Sequence, residues 1–164
     1  MIMTWREAFW RQARSDHRVL MHLGASGFEA CHRLHFYQMA TEKLAKAWLT
    51  SPAAVEPPPH VHKGFVRMLQ IIKSQPGVRR RLGYSNAAVF ARSINALLDL
   101  ATNVERLAPA LAAGSRPNPE YPWRDAQSGE LCVPAEFHFP AFDPRNPQMA
   151  KLDKLVLALL TNFA

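Results

Sequence analysis

The sequence predicts an all-α protein: a bundle of four amphipathic helices, with an extended arm and a fifth helix wrapped against it. Three observations carry this. Residues 28–50, FEACHRLHFYQMATEKLAKAWLT, place Leu34, Tyr37, Thr41, Leu44 and Trp48 at steps of three and four, the spacing of one helical face. The same period recurs in four other segments, near residues 4–23, 62–73, 85–107 and 147–163. Proline and glycine punctuate the stretches between them. At 164 residues, one domain with one sizeable core is expected. Its bundle covers about 4–112, its arm 113–146 and its last helix 147–163.

The first helix runs from Thr4 to Leu23. Thr4 and Glu7 have capping-box spacing, and Gly24 provides a stop. Its inward stripe is Trp5, Phe9, Ala13, Asp16, Leu20 and Leu23. A lone carboxylate in such a stripe is expensive without a donor, so Asp16 is expected to find Lys43, His62 or Arg33. The second helix follows Gly24-Ala25-Ser26-Gly27. Residues 51–61, SPAAVEPPPHV, cannot be helical. A third helix, His62 to Lys73, turns Phe65, Leu69 and Ile72 inward and ends at Gln75-Pro76-Gly77. Arg79-Arg80-Arg81 then form a basic connector. Ser85 caps a fourth helix reaching Leu107, with Phe90, Ile94, Leu97, Ala101 and Val104 buried; Pro109 stops it.

The character then changes. Prolines 117, 119, 122, 134, 140, 144 and 147 alternate with aromatic residues, which reads as an ordered arm burying Tyr121, Trp123, Phe137, Phe139 and Phe142. Ser128-Gly129 is placed to turn a short hairpin. The last helix, Pro147 to Phe163, aligns Leu152, Leu155, Leu159 and Phe163, with Val156 and Leu160 beside them. Its apolar surface is wider than one core face needs, which fits burial between bundle and arm or a shared dimer interface.

Composition narrows the function classes. Apolar residues are 48% and charged residues 20%, as in soluble globular chains. Cys31 and Cys132 are too few and too distant for a disulfide framework or zinc site, and Cys31 is expected to pack as a small apolar residue. The N-terminus lacks the apolar run of a signal peptide, and Leu155–Leu160 is far short of a membrane span. A cytoplasmic protein without a membrane partner is expected. The net charge of +7 comes mostly from arginine, a bidentate phosphate and carboxylate binder. Such a balance accompanies nucleic-acid binding, although basic domains without that role are common.

Several constellations follow. His35, Gln38, Glu42 and Lys46 form a polar row on the second helix, turned away from the apolar stripe. The row reads either as a ligand-facing surface, with Lys46 on a phosphate and His35 exchanging a proton, or as a solvated face whose charges pair. Arg11, Arg14, Arg18 and His22 make a basic stripe on the first helix, joined by Arg79, Arg80 and Arg81 as phosphate-binding candidates. His60 and His62, with His32 and His35, lack the supporting cysteine or carboxylate spacing of a metal centre; no metal is expected. His62 is expected to cap or pin the third helix, with His60 exposed. There is no Gly-rich phosphate loop, nucleophile–base arrangement or carboxylate pair suited to acid–base work, so no cofactor is expected.

The arrangement of Ala13-Arg14-Ser15-Asp16, of the segment YQMATEKLAKAWL (Tyr37 to Leu49) with Gln38, Glu42, Lys43 and Lys46, and of His62 resembles the HEPN family. Tyr121-Pro122 resembles the Tyr-Pro that often follows that family's fourth helix, with Glu120 where an arginine is common. The resemblance spans about residues 5–123. It implies an up-and-down four-helix bundle, frequent homodimerisation, and roles in RNA cleavage, nucleotide or nucleic-acid binding, toxin–antitoxin systems or host defence. Catalytic members carry Arg-x4–6-His near the start of the last bundle helix. Here the segment 85–107 holds Arg92 and Arg106 but no histidine. Arg11 and His17 have the formal spacing, yet six helical residues turn them about 120° apart.

The resulting expectation is a non-catalytic homodimeric module that binds nucleic acid, a nucleotide or a cognate protein. A metal-independent ribonuclease using Arg11, Arg18, His17 or His22, or Arg14 among the available cations, is the alternative. A structural protein whose arm and last helix dock another chain is a third.

Overall fold

The computed structural model describes residues 3–58, 62–111 and 116–161. His60 and Phe163, both named above, lie outside them. Helices α1 (Trp5–Ala25) and α2 (Ala30–Leu49) pack along their lengths as an antiparallel hairpin closed by a four-residue turn. Then come α3 (Phe65–Ile72), α4 (Pro76–Arg81), α5 (Ala87–Asn95) and α6 (Leu98–Arg106). A two-stranded antiparallel ribbon, β1 (Trp123–Arg124) with β2 (Leu131–Cys132), precedes α7 (Pro147–Thr161). The chain is mostly helical, as its apolar period requires.

The main core collects Tyr37 and Leu44 of α2, Phe65 and Leu69 of α3, Phe90 and Ile94 of α5, Val104 of α6, and Leu152 and Val156 of α7. Burying each large apolar side chain is worth about 1.5–3 kcal/mol, so this shared centre holds the helices together. Polar ties set how they meet. Trp10 Nε1 donates to the Leu160 carbonyl at 2.9 Å, fastening α1 to α7. Gly64 lies where a β-carbon would stand 3.3 Å from that of Ala45, so α2 and the start of α3 approach as only glycine comfortably permits. Gly64 has no capping side chain; Glu105 of α6 instead accepts the Val66 N–H at 3.0 Å.

Thr4 caps α1, its hydroxyl accepting the Glu7 N–H at 3.2 Å. Elsewhere the boundaries depart from expectation. The third helix starts at Phe65, three residues after His62. The basic connector is itself a helix, α4, because Pro76 at its first position already has a helical φ and lacks an N–H to satisfy. Asn86, not Ser85, caps α5, accepting from Ala88 and Val89 at 2.8 and 3.0 Å. The expected fourth helix divides at Ala96–Leu97, where Leu97 N–H bonds Ile94 in a tightened turn; no proline or glycine in the sequence marks that break.

The arm is ordered around a second cluster of Cys31, Leu34, Leu107, Trp123 and Phe139. Phe137 stands edge-on to both Trp123 and Phe139. Tyr121 corrects the expectation of burial: it is 60% exposed, because the Asn118 side chain turns the chain there by accepting the Glu120 and Tyr121 N–H groups. Gly129 (φ 73°) closes the ribbon's turn. Both cysteines are free thiols in this cluster, Cys31 buried and Cys132 half-buried.

Candidate functional site

The second helix carries two polar settings, and they differ in how their hydrogen-bonding capacity is met. Toward its C-terminal half, Lys43 Nζ reaches Asp16 Oδ2 of α1 at 2.5 Å, and Gln12 Nε2 donates to Oδ1 at 2.9 Å. Asp16 thus finds one of its three expected donors, and its side chain is only 6% exposed. One residue earlier, Glu42 gathers a second network. Lys46 Nζ lies 2.7 Å from Oε1; Gln38 Nε2 and His62 Nδ1 both lie 2.8 Å from Oε2. The largest single influence on Glu42, burial, pushes its carboxyl up. Hydrogen bonds from Lys46, His62 and Gln38 together outweigh it and hold the group below its ordinary value.

This geometry corrects the expectation that Glu42 and Lys46 face away from the middle. Their side chains are 14% and 12% exposed, because His62 and α1, with Phe9 5.7 Å beneath Lys46 Nζ, close over them. Gln38 is buried as well. His35 leaves the row for Glu120 of the arm, at 2.5 Å. The four histidines named as a cluster do not assemble: His32 pairs with Glu29, His35 with Glu120 and His62 with Glu42, with His60 outside the described residues. Among the described residues, no three His, Cys, Asp or Glu side chains group as a metal site would.

The basic stripe of α1 stays at the surface. Arg11, Arg14, Arg18 and His22 are all exposed. Arg11 is paired with Glu7 at 2.6 Å, and the Arg14 guanidinium lies 4.9 Å from the Trp10 ring centroid. On α4, Arg80 and Arg81 are exposed, whereas Arg79 turns back to donate to the Ser85 carbonyl. His17 points elsewhere than Arg11, as helical rotation requires.

His17 instead lines a cleft of about 620 Å³ between the α1–α2 hairpin, the arm and the first turns of α7. That volume is in the range of small-molecule sites. The walls are largely apolar, from Leu20 and Met21 of α1, Leu34 of α2, Phe139 and Phe142 of the arm, and Leu157 of α7. Polar groups converge among them: His17, Arg33, Tyr37, His138, Asp153 and Lys154. Tyr37 is 2% exposed, and its hydroxyl lies beside the Asp153 carboxylate without a well-formed hydrogen bond to it. Burial pushes the Tyr37 hydroxyl well up, reinforced by the negative charge of Asp153. Asp153 keeps contact with solvent, yet crowding by the walls raises its carboxyl against the opposing effects of Tyr37, Arg33 and His17. Burial also lowers His17, favouring its neutral form, with Asp153 opposing.

Of these groups the sequence singled out only His17, as one of the ribonuclease alternatives, and Arg33, as a possible donor to Asp16. Tyr37 lies at a core position of the α2 stripe, and Asp153 and Lys154 are ordinary polar positions of α7. Their one sequence signal was the excess apolar width of the last helix, which left a side unaccounted for. No described helix is long and apolar enough to cross a membrane. Comparison of the chain with protein-family models, with curated proteins and with solved structures finds no match.

Proposed function

We propose that the chain is a HEPN-like helical module, working as a homodimer, that binds single-stranded RNA along the outer face of α1 and does not cut it. The observation that carries this reading is the exposed run Arg11, Arg14, Arg18 and His22, which lies along one helix for about three turns. Arginines at that spacing match successive phosphates and hold them by paired N–H donors. The helix-two motif residues support the non-catalytic half of the reading: Glu42, Lys43 and Lys46 are engaged within the fold by Lys46, Asp16 and Glu42. The segment 85–107 also offers no histidine for proton transfer.

The test is fluorescence anisotropy of a labelled 20-nucleotide RNA titrated at several salt concentrations. For a single strand, log affinity falls with log salt by about 0.7 per neutralised phosphate. Replacing Arg11, Arg14 and Arg18 with alanine should therefore flatten the slope by about 2. No affinity at low salt, or an unchanged slope in the triple variant, overturns the assignment. A second reading rests on Arg18 and His22, exposed and one turn apart on α1: a metal-independent ribonuclease. RNA cleavage by purified protein that disappears in Arg18→Ala and His22→Ala would replace binding by catalysis.

A further inference from the structure

The geometry points to a ligand site in the cleft between the α1–α2 hairpin, the arm and α7, built for a small monocarboxylate with an apolar body. This goes beyond RNA binding and does not depend on it, since Arg11, Arg14 and Arg18 do not line the cleft.

Three features of the cleft agree on that chemistry. Its size, about 620 Å³, accommodates a molecule of a fatty-acid or aryl-acid kind rather than an ion. Its surface is apolar far beyond what the core needs: Met21 and Leu157 line it while remaining 61% and 52% exposed, at opposite helices. Apolar side chains left at a concave wall are where an apolar ligand gains most by excluding water.

The charges settle the polar end. Arg33 and Lys154 line the cleft, and among the described residues neither forms an ion pair. Asp143, one of the two acids of the lining, is already held by Arg145 at 2.6 Å. Asp153 remains, with Arg33 as its cationic neighbour, against the two cations Arg33 and Lys154 of the lining. The cleft therefore has one positive charge in excess, and a single anionic group balances it. A carboxylate suits the Arg33 guanidinium, which offers parallel N–H donors to two oxygens. Tyr37 adds a buried hydroxyl to the lining, beside the Asp153 carboxylate but without a well-formed hydrogen bond to it, and so able to turn toward a bound acceptor.

Isothermal titration of the full chain with decanoate and with 2-naphthoate, each below its aggregation concentration, tests the site against decanol and 2-naphthol as uncharged counterparts. At least one carboxylate should bind with one site per chain and at least tenfold tighter than its alcohol. Decanoate and 2-naphthoate separate a chain-shaped from a ring-shaped ligand. Arg33→Ala, an exposed position that leaves the core intact, should erase the preference for the carboxylate while leaving the alcohol unchanged. Ala150→Trp on α7, which fills the cleft from its wall, should abolish both. Tyr37→Phe should weaken the carboxylate several-fold while the melting temperature holds or rises, a combination that mere loss of packing does not produce. Binding of the alcohol as tight as that of the acid, full carboxylate affinity in Arg33→Ala, or no binding of either carboxylate by the folded wild-type chain overturns the proposal.

Discussion

Two stretches of the same helix, neighbours along its length, treat polar atoms in opposite ways. Around Glu42 and Lys43, each charge meets its opposite within 2.8 Å, and the amide of Gln38 completes the set. Around Arg33 and Tyr37, a guanidinium has no ion-pair partner among the described residues and a buried hydroxyl lacks a well-formed hydrogen bond, with only the Asp153 carboxylate beside it. The first region spends its polar chemistry inside the fold. The second leaves it available. A helix whose saturated half faces α1 and the start of α3, and whose unsaturated half faces a cleft, divides structural from binding roles along its own length.

The largest expected effect comes from breaking the saturated half. Lys43→Met leaves the Asp16 carboxylate buried with only Gln12, and breaking a buried pair on one side costs about 3–5 kcal/mol. Because Lys43 is partly exposed, about 3 kcal/mol is expected, read as a lower urea midpoint at unchanged m-value. Adding Asp16→Asn should restore much of the loss. If the double variant is as unstable as the sum of its parts, the pair is not a saturated unit and the contrast fails.

A smaller effect, dependent on pH, follows from Glu42. Its carboxyl lies below the ordinary value in the folded chain, so it stabilises the fold above the unfolded value, and that contribution is lost as pH falls through the folded one. Glu42→Gln should cost about 1–3 kcal/mol near neutrality. The gap from wild type in melting temperature should narrow as the medium is acidified below about pH 4. A constant gap down to pH 3 would detach Glu42 from its ionic partners.

Asp153 carries the smallest effect and the opposite sign. Its carboxyl is raised in the folded chain, so its contribution favours folding below the unfolded value and is lost as pH rises through the folded one. Asp153→Asn should therefore raise the melting temperature slightly at pH 7 and leave it unchanged near pH 3. A lower melting temperature at pH 7 would place Asp153 among the saturated groups, sharpening the boundary between the two regions toward α7.

Legibility differed with the range of the interaction. Thr4 and Glu7 disclosed the start of α1 because the cap is three residues long. Asp16 disclosed its need for a donor because a carboxylate in an apolar stripe has few choices, and Lys43 lies on the adjoining helix. The Glu42–Lys46 row was legible as a pair of charges but not as a half-buried one: what covers it, His62 and Phe9, comes from two other segments. The break at Ala96–Leu97 had no local signal, since neither residue resists helix, and Asn95 there accepts from Lys73 of α3's end. The cleft was the least legible feature. Tyr37, Asp153 and His138 meet only after three separate segments have packed.

By itself, then, the order of apolar and polar residues determined that this chain is helical, where its first and last helices begin, and that an aromatic arm interrupts them. Those are properties of spacing and of caps within a turn or two, which a chain carries before it folds. Tertiary structure alone decided which polar groups are saturated, since burial and partnership arise between residues far apart in the chain. It half-buried Glu42 and Lys46 where period placed them outside, and it set the buried Tyr37 hydroxyl beside Asp153 at the wall of a cleft.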